Sequence, residues 1–478
     1  MGSVVPCPTP LSAVRHPAFA RTPRMVAPRS RRKTISGAIG RCAAYGESER
    51  RVFLGPPLTY KRRGIDGKAE RRMGESEATG PLRGIRVFDL TRVLAGPTCT
   101  QMLGDLGAEV LKIERPGAGD DTRGFAPPFI AGTAESAYFA GVNRNKKSIT
   151  LDIAKPEGQA IARRLIARCD ALVENFKVGA LARFGLGYPD LRDDFPRLIY
   201  CSITGFGQTG PYAPRPGYDS LIQAMGGIMS LTGEPEGPPQ KVGVPVADLF
   251  AGLYGCTGIL AALCERAVSG RGQYIDIGML DAHVAWLANQ GMNYLATGKD
   301  PPRLGNQHPN IVPYQVFPTA DGHVMLSIGN DPTFARFCEN FSLSHLLSDE
   351  RFTTNARRVE NRGLVTDTLT PVLQRHPTAW WVEKLEELKI GCGPINRLSD
   401  VFADPQVKAR GMVFEMPHRA LPEGTQLRLI ANPVRFSETP VNYRGPPPAL
   451  GEHTDAVLGG MLGIGQTELA RLRAGNVI

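Results

Sequence analysis

From Gly84 onward the chain alternates short apolar runs with helix-like segments, and this alternation limits its fold more than any other feature. GIRVFDL (84–90) reads as a strand, TCTQMLGDLGA (98–108) as a helix and EVLKIERP (109–116) as a second strand. The pattern repeats through KSITLDI (147–153), the helical PEGQAIARRLIARC (156–169), ALVENF (171–176) and RLIYCSITG (197–205). Strands that are near-continuous Val, Ile and Leu between helices are parallel strands covered on both faces, which predicts a Rossmann-like, doubly wound α/β sheet. YQVFPTADGHVMLSIG (314–329) then reads as two strands about the turn Ala320-Asp321-Gly322, with helical segments to Phe402. That is a smaller α+β unit. The predicted organisation is a leader over 1–80, a large domain over 81–305, the small domain over 306–410 and a return to the large domain over 411–478.

The formal net charge of +10 suggests nucleic acid until it is located. Residues 1–80 hold 16 Lys/Arg and 6 Asp/Glu, leaving 40 basic and 40 acidic residues in 81–478. The charge belongs to the leader, so the folded part carries no signal for a nucleic-acid partner. Eight basic residues precede the first acidic one, Glu47, as in a mitochondrial transit peptide. Prolines at 6, 8, 10, 17, 23 and 28 oppose an amphipathic helix there, and Met73 offers an alternative start. The expected location is the cytoplasm if residues 1–72 are not translated, and the mitochondrial matrix otherwise. The nine cysteines have no CxxC spacing and the eight histidines no HExxH, so no disulfide framework and no metal site is expected. The longest uncharged apolar stretch, Leu249–Cys264, is shorter than a membrane span and reads as a buried helix.

A parallel sheet at the head of a domain invites a dinucleotide reading, and Glu114 ends the second strand where a ribose-binding acid would sit. The glycine fingerprint is missing, however: TRVLAGPTCTQ follows the first strand, and no GxxxxGK[ST] occurs. Asp248, in GVPVADLFAGLYGCTGILAALCER (243–266), stands just before a long apolar run. There it reads as a helix N-cap, or as an ionised carboxylate in a Gly-lined pocket that can act as a nucleophile. The residues alone leave both readings open.

The neighbouring segments carry a resemblance. DLTRVLAGPTCTQMLGDLGAEVLKIERPGAGDDTRG (89–124), NRNKKSITLDI (143–153), ALVENF, GQTGPYAPRPGYDS (207–220), GVPVADLFAGLYG (243–255) and LGEHTDAVL (450–458) resemble the family III CoA-transferases, the formyl-CoA, carnitine and bile-acid type enzymes. NRNKKS, CSITGFGQTGP (201–211), HPNIVPYQVF (308–317) and CGPINRLSDVFADPQV (392–407) look most like members that handle succinate, hydroxymethylglutarate or glutarate. The resemblance implies a CoA-transferase that moves CoA between an acyl-CoA and free, dicarboxylic acids, without a permanent cofactor, as a ring-like interlocked homodimer. Its partners would be acyl-CoA, small acids and a second copy, with no membrane and no metal. Asp248 takes the place of the family's catalytic aspartate. CoA contacts fall on Val93, Leu94, Ala95, Arg115, Leu151, Asp152, Asn175, Phe176, Arg183 and Tyr218. His308 and Tyr314 are candidates for the acyl carboxylate, and Gly226 and Gly227 for backbone contacts to the oxyanion, along with Gly205, Gly207 and Gly210. Leu94 stands where the formyl-CoA enzymes have a glutamine, and their tetraglycine loop has no counterpart; LGNQHPNIVPYQ lies in that region instead. Asp219 is a rival nucleophile. The alternatives are a 2-methylacyl-CoA racemase, for which His283 is the nearest histidine after Asp248, and a non-catalytic CoA-binding protein.

Overall fold

The computed structural model describes residues 79–478, within the compact unit Arg72–Ile478. The leader expectation, apart from its last two residues, lies outside the described residues. Six parallel strands form the large sheet: β1 (Arg86–Asp89), β2 (Glu109–Glu114), β3 (Lys146–Thr150), β4 (Ala171–Glu174), β5 (Ile199–Thr204) and β6 (Tyr274–Gly278), in the order β3-β2-β1-β4-β5-β6. This is the Rossmann order, with the switch point between β1 and β4, where ligands of open α/β sheets bind. β1, β2, β4 and β5 fall inside the runs read from the sequence, and β3 begins one residue before its run; β6 was not read.

Alternate residues of each strand feed two cores. Val87, Val110, Val173 and Cys201 enter one, under the helices Ala95–Asp105 and Val246–Ser269. Phe88, Leu111, Leu172 and Tyr200 enter the other, under the helix Pro156–Ile166 and the last two helices, Thr454–Leu462 and Gln466–Ala474. The chain end is part of this second core, since Asp152 N–H donates to Val477 O (2.8 Å). The smaller sheet is antiparallel, β7 (Tyr314–Pro318), β8 (His323–Ser327) and β9 (Gly391–Pro394), over its own core of Phe317, Phe334, Phe337 and Trp381. A separate hairpin joins β10 (Val413–Pro417) and β11 (Gln426–Ile430).

The 24-residue helix Val246–Ser269 departs from the buried helix expected of its sequence. It is long and apolar enough to cross a membrane by length and composition. One face is buried through Ala247, Ala251, Cys256, Ile259 and Ala262, with Gly252 pressed to the Ala95 carbonyl, while Leu253, Tyr254 and Val268 are exposed.

Candidate active site

The helix Val246–Ser269 begins two residues before Asp248, with Pro245 at its N-cap, so Asp248 lies inside the first turn and does not cap it. This corrects the N-cap reading. The cap comes from Asp219 at the start of the helix Asp219–Met225: its Oδ1 accepts the Ala247 N–H (2.9 Å), and its Oδ2 accepts from Gln223 Nε2 (2.8 Å). Asp219 is thereby committed to the scaffold rather than free to attack. Gln223 Oε1 accepts the Val242 N–H (2.9 Å), so Asp219 and Gln223, one turn apart, anchor the chain at Ala247 and at Val242 ahead of Asp248.

The half-buried Asp248 carboxyl faces the start of another helix, Ala95–Asp105. Burial raises its pKa to about 7, the Asp219 charge pushes in the same direction, and the Ala95 N–H opposes both. The Tyr138 hydroxyl belongs to the same neighbourhood. Burial and the charges of Asp248 and Asp219 raise its pKa, and its ring meets Phe125 edge-on at 5.6 Å. A carboxylate whose charge is disfavoured by burial is more reactive than one tied to a cation, provided it can ionise.

A cavity of about 150 Å³ opens at the C-terminal ends of β1 and β2, lined by Thr91 and Arg92 just before the turn that leads to Ala95. Arg115, Leu151, Asp152 and Phe176 line it, four of the ten expected CoA contacts, together with Arg92 and Phe184. Val93, Leu94 and Ala95 form the turn from β1 into the helix, with Leu94 and Ala95 buried. Asn175 is adjacent, but its amide is used on protein: Oδ1 accepts the Arg92 N–H (2.9 Å) and Nδ2 donates to the Arg92 carbonyl (2.7 Å). Its part is to fix Arg92. Arg183 is exposed on the short helix beside Phe184. Tyr218 is exposed at the N-cap of the helix Asp219–Met225. His308 and Tyr314 pair with each other, their rings 5.2 Å apart, and Arg362 donates to the His308 carbonyl (2.9 Å). Gly226 ends the helix that carries Asp219 and lies against His283, where a Cβ would come within 2.3 Å of the imidazole. Gly227 has φ 91°, which suits glycine. Gly205 crosses Gly217 backbone to backbone, while Gly207 and Gly210 take positive φ. Glu114 is bound by Arg123 (2.7 Å) and Ser148 (2.6 Å) and is a structural acid.

Arg92 and Tyr138 were not singled out from the sequence. Arg92 is the neighbour of Val93, and its guanidinium lies 5.1 Å from the Phe176 ring centroid and 3.2 Å from Asp121. Arg115 approaches the same Asp121 carboxylate at 3.6 Å. Two guanidiniums sharing one carboxylate at a cavity mouth leave excess positive charge for a phosphate. Tyr138 had no local signal, since only the tertiary fold brings it to Asp248.

Residues 82–454 match the family model described as CoA-transferase family III. The succinate–glutarate CoA-transferase of Agrobacterium fabrum is 47% identical over 382 residues, which is 79% of this chain and 95% of that protein. The human succinyl-CoA:glutarate CoA-transferase is 43% identical over 398 residues, 83% of this chain and 90% of that one. Among solved structures, a CAIB/BAIF family protein from Brucella suis aligns with a TM-score of 0.71 at 47% identity, covering 80% of this chain and all of that one.

Proposed function

This chain belongs to CoA-transferase family III, and from that premise we propose that it moves CoA from succinyl-CoA to a second dicarboxylic acid such as glutarate or hydroxymethylglutarate. The names of its relatives supply the substrate class. The observation that carries the chemistry is Asp248, a carboxyl whose charged neighbour is another carboxylate and which meets a helix N-terminus through Ala95 N–H.

The ionised Asp248 attacks the donor thioester carbonyl, the C–S bond breaks, and a mixed aspartyl–succinyl anhydride and CoA thiolate result. The thiolate attacks the aspartyl carbonyl of the anhydride, releasing succinate and leaving an aspartyl-CoA thioester. The acceptor carboxylate attacks that thioester, and the thiolate then takes the acyl group from the new anhydride, regenerating Asp248. Thioester energy is conserved at each exchange. Charge that develops on the carbonyl oxygens is met by fixed donors, the Ala95 N–H and the Tyr138 hydroxyl. CoA lies along the cavity, its phosphates toward Arg92 and Arg115.

The working form is a homodimer of interlocked, ring-like chains. Leu253, Tyr254 and Val268 on the helix Val246–Ser269, and Met292 and Leu295 on the helix Ala288–Thr297, are exposed apolar side chains of the kind a second copy would cover.

The test offers succinyl-, glutaryl- and hydroxymethylglutaryl-CoA against free acids and reads products by mass spectrometry. Succinyl-CoA with glutarate is expected to give glutaryl-CoA and succinate in equal amounts. Exchange of α-deuterium in a 2-methylacyl-CoA without any acceptor acid would make the protein a racemase instead.

A further inference from the structure

Beneath the turn from β1 into the helix Ala95–Asp105 lies a fully buried ion pair. Lys112 Nζ and Asp120 Oδ2 are 2.8 Å apart, and neither side chain reaches solvent. Lys112 also donates to the Thr91 carbonyl (3.0 Å). Asp120 Oδ1 accepts the Val93 N–H (3.2 Å) as well as the Thr122 N–H (3.0 Å) and hydroxyl (2.8 Å). The Asp120 N–H in turn donates to Glu114 Oε2 (2.9 Å).

Such a pair is costly to desolvate, and apolar residues of the same volume often hold a fold as well or better. What this pair grips is a strained residue. Val93 has φ 67°, in the left-handed region that a β-branched side chain avoids. Two residues later is Ala95, whose carbonyl abuts Gly252, one turn along the helix from Asp248, and whose N–H favours the ionised Asp248 carboxyl. Strain of this kind persists only where the surroundings impose it, and it clusters at functional sites.

We propose that Lys112 and Asp120 are positioning residues for the transfer reaction: their buried ion pair holds Val93 in its left-handed conformation, and so keeps the Ala95 N–H aimed at Asp248. This rests on the reading of Asp248 as the nucleophile. The ion pair also lines the CoA cavity, so one device sets both the cofactor-end turn and the reacting carboxylate.

The test follows the pH profile of kcat/KM. The groups acting on Asp248 are Asp219, Tyr138 and the Ala95 N–H, and of these the N–H favours the ionised carboxylate. Lys112→Met is expected to move the acid limb up by about half a pH unit or more as the Ala95 N–H turns away from Asp248. It should lower kcat at least about tenfold. Adding Val93→Gly to Lys112→Met is expected to bring the limb back toward the wild-type position, since glycine takes positive φ without strain. A loss of folded protein alone would lower the amplitude and leave the limb in place.

Val93→Pro leaves the ion pair whole and forbids the positive φ, so it tests the same relation if Lys112→Met fails to fold. It too is expected to move the limb up. A folded Lys112→Met or Val93→Pro enzyme with the wild-type acid limb would overturn the proposal, provided Asp248→Asn is inactive. An active Asp248→Asn would overturn this proposal and the nucleophile reading together.

Discussion

Asp219 Oδ1 accepts the Ala247 N–H at 2.9 Å, so the helix that carries Asp248 is capped by a different carboxylate. This separates two roles that the sequence places on one residue. Asp219 serves the scaffold and, through its charge, helps keep Asp248 from ionising early. Asp219→Asn retains an acceptor for Ala247 but loses the charge and the bond from Gln223. The expected result is a stability loss of about 1 kcal/mol, with the acid limb of kcat/KM moved to lower pH. pH-rate profiles of the two enzymes check it, and an unmoved limb would show that Asp219 does not act on Asp248.

As the proposed nucleophile, Asp248 must be ionised to attack, and its pKa is raised to about 7. The rate kcat/KM is therefore expected to rise with pH through about 7 and to level off above it. A flat profile from pH 5 to 8 would remove Asp248 from the rate-determining chemistry.

The same shift makes a statement about stability. A carboxyl whose folded pKa lies above its unfolded value of 3.8 binds more protons in the folded state, so stability falls as pH rises from about 4 to about 7. Asp248→Asn removes that loss and, since Asp248 caps nothing, leaves the helix start intact. Its melting temperature should match wild type near pH 4 and exceed it by a few degrees above pH 7. Thermal scans across that range check the sign. A lower melting temperature at pH 8 would mean that the charged Asp248 is a structural group.

Arg92 stands at the cavity mouth with Arg115 and is held there by Asn175, Asp121 and Phe176. Arg92→Met is expected to raise KM for succinyl-CoA about tenfold and to leave succinyl-pantetheine, which lacks the phosphoadenosine end, unaffected. Equal losses on both thioesters would place Arg92 outside the phosphate site.

The exposed apolar residues Leu253, Tyr254, Val268, Met292 and Leu295 predict association. Sedimentation at micromolar concentration should give twice the 51.7 kDa chain mass, and a monomer would contradict the dimer. Recovery of the chain only with lipid would assign these residues to a membrane.

β1, β2, β4 and β5 were legible because each centres on buried apolar residues, whereas β3 holds only Ile149 and showed through the alternation that continues to Leu151 and Ile153. β6 was not, because Tyr274–Gly278 is a half-buried edge strand with Asp276 exposed in its middle. β10 and β11 escaped because their core is only Met416, Leu427 and Leu429, under alternating polar residues. The position of Asp248 came from family resemblance, while its capping role was misread. Pro245 occupies the cap position, and the capping carboxylate is 28 residues from Ala247 along the chain. Nothing in the sequence marks Lys112 and Asp120 out from its other charged residues. Only tertiary packing shows that they are buried together beneath Val93.

The central claim is that Asp248 becomes covalently acylated and then carries CoA, and trapping tests it most directly. Wild-type enzyme is incubated with succinyl-CoA and then hydroxylamine, digested, and read by mass spectrometry. Hydroxylamine displaces CoA from an aspartyl-CoA thioester and leaves a hydroxamate. The modification is expected on the peptide containing Asp248 and absent when that residue is Asn, with transfer reduced by about four orders of magnitude or more. A hydroxamate on the peptide containing Asp219, or an Asp248→Asn enzyme that still transfers CoA, would contradict it.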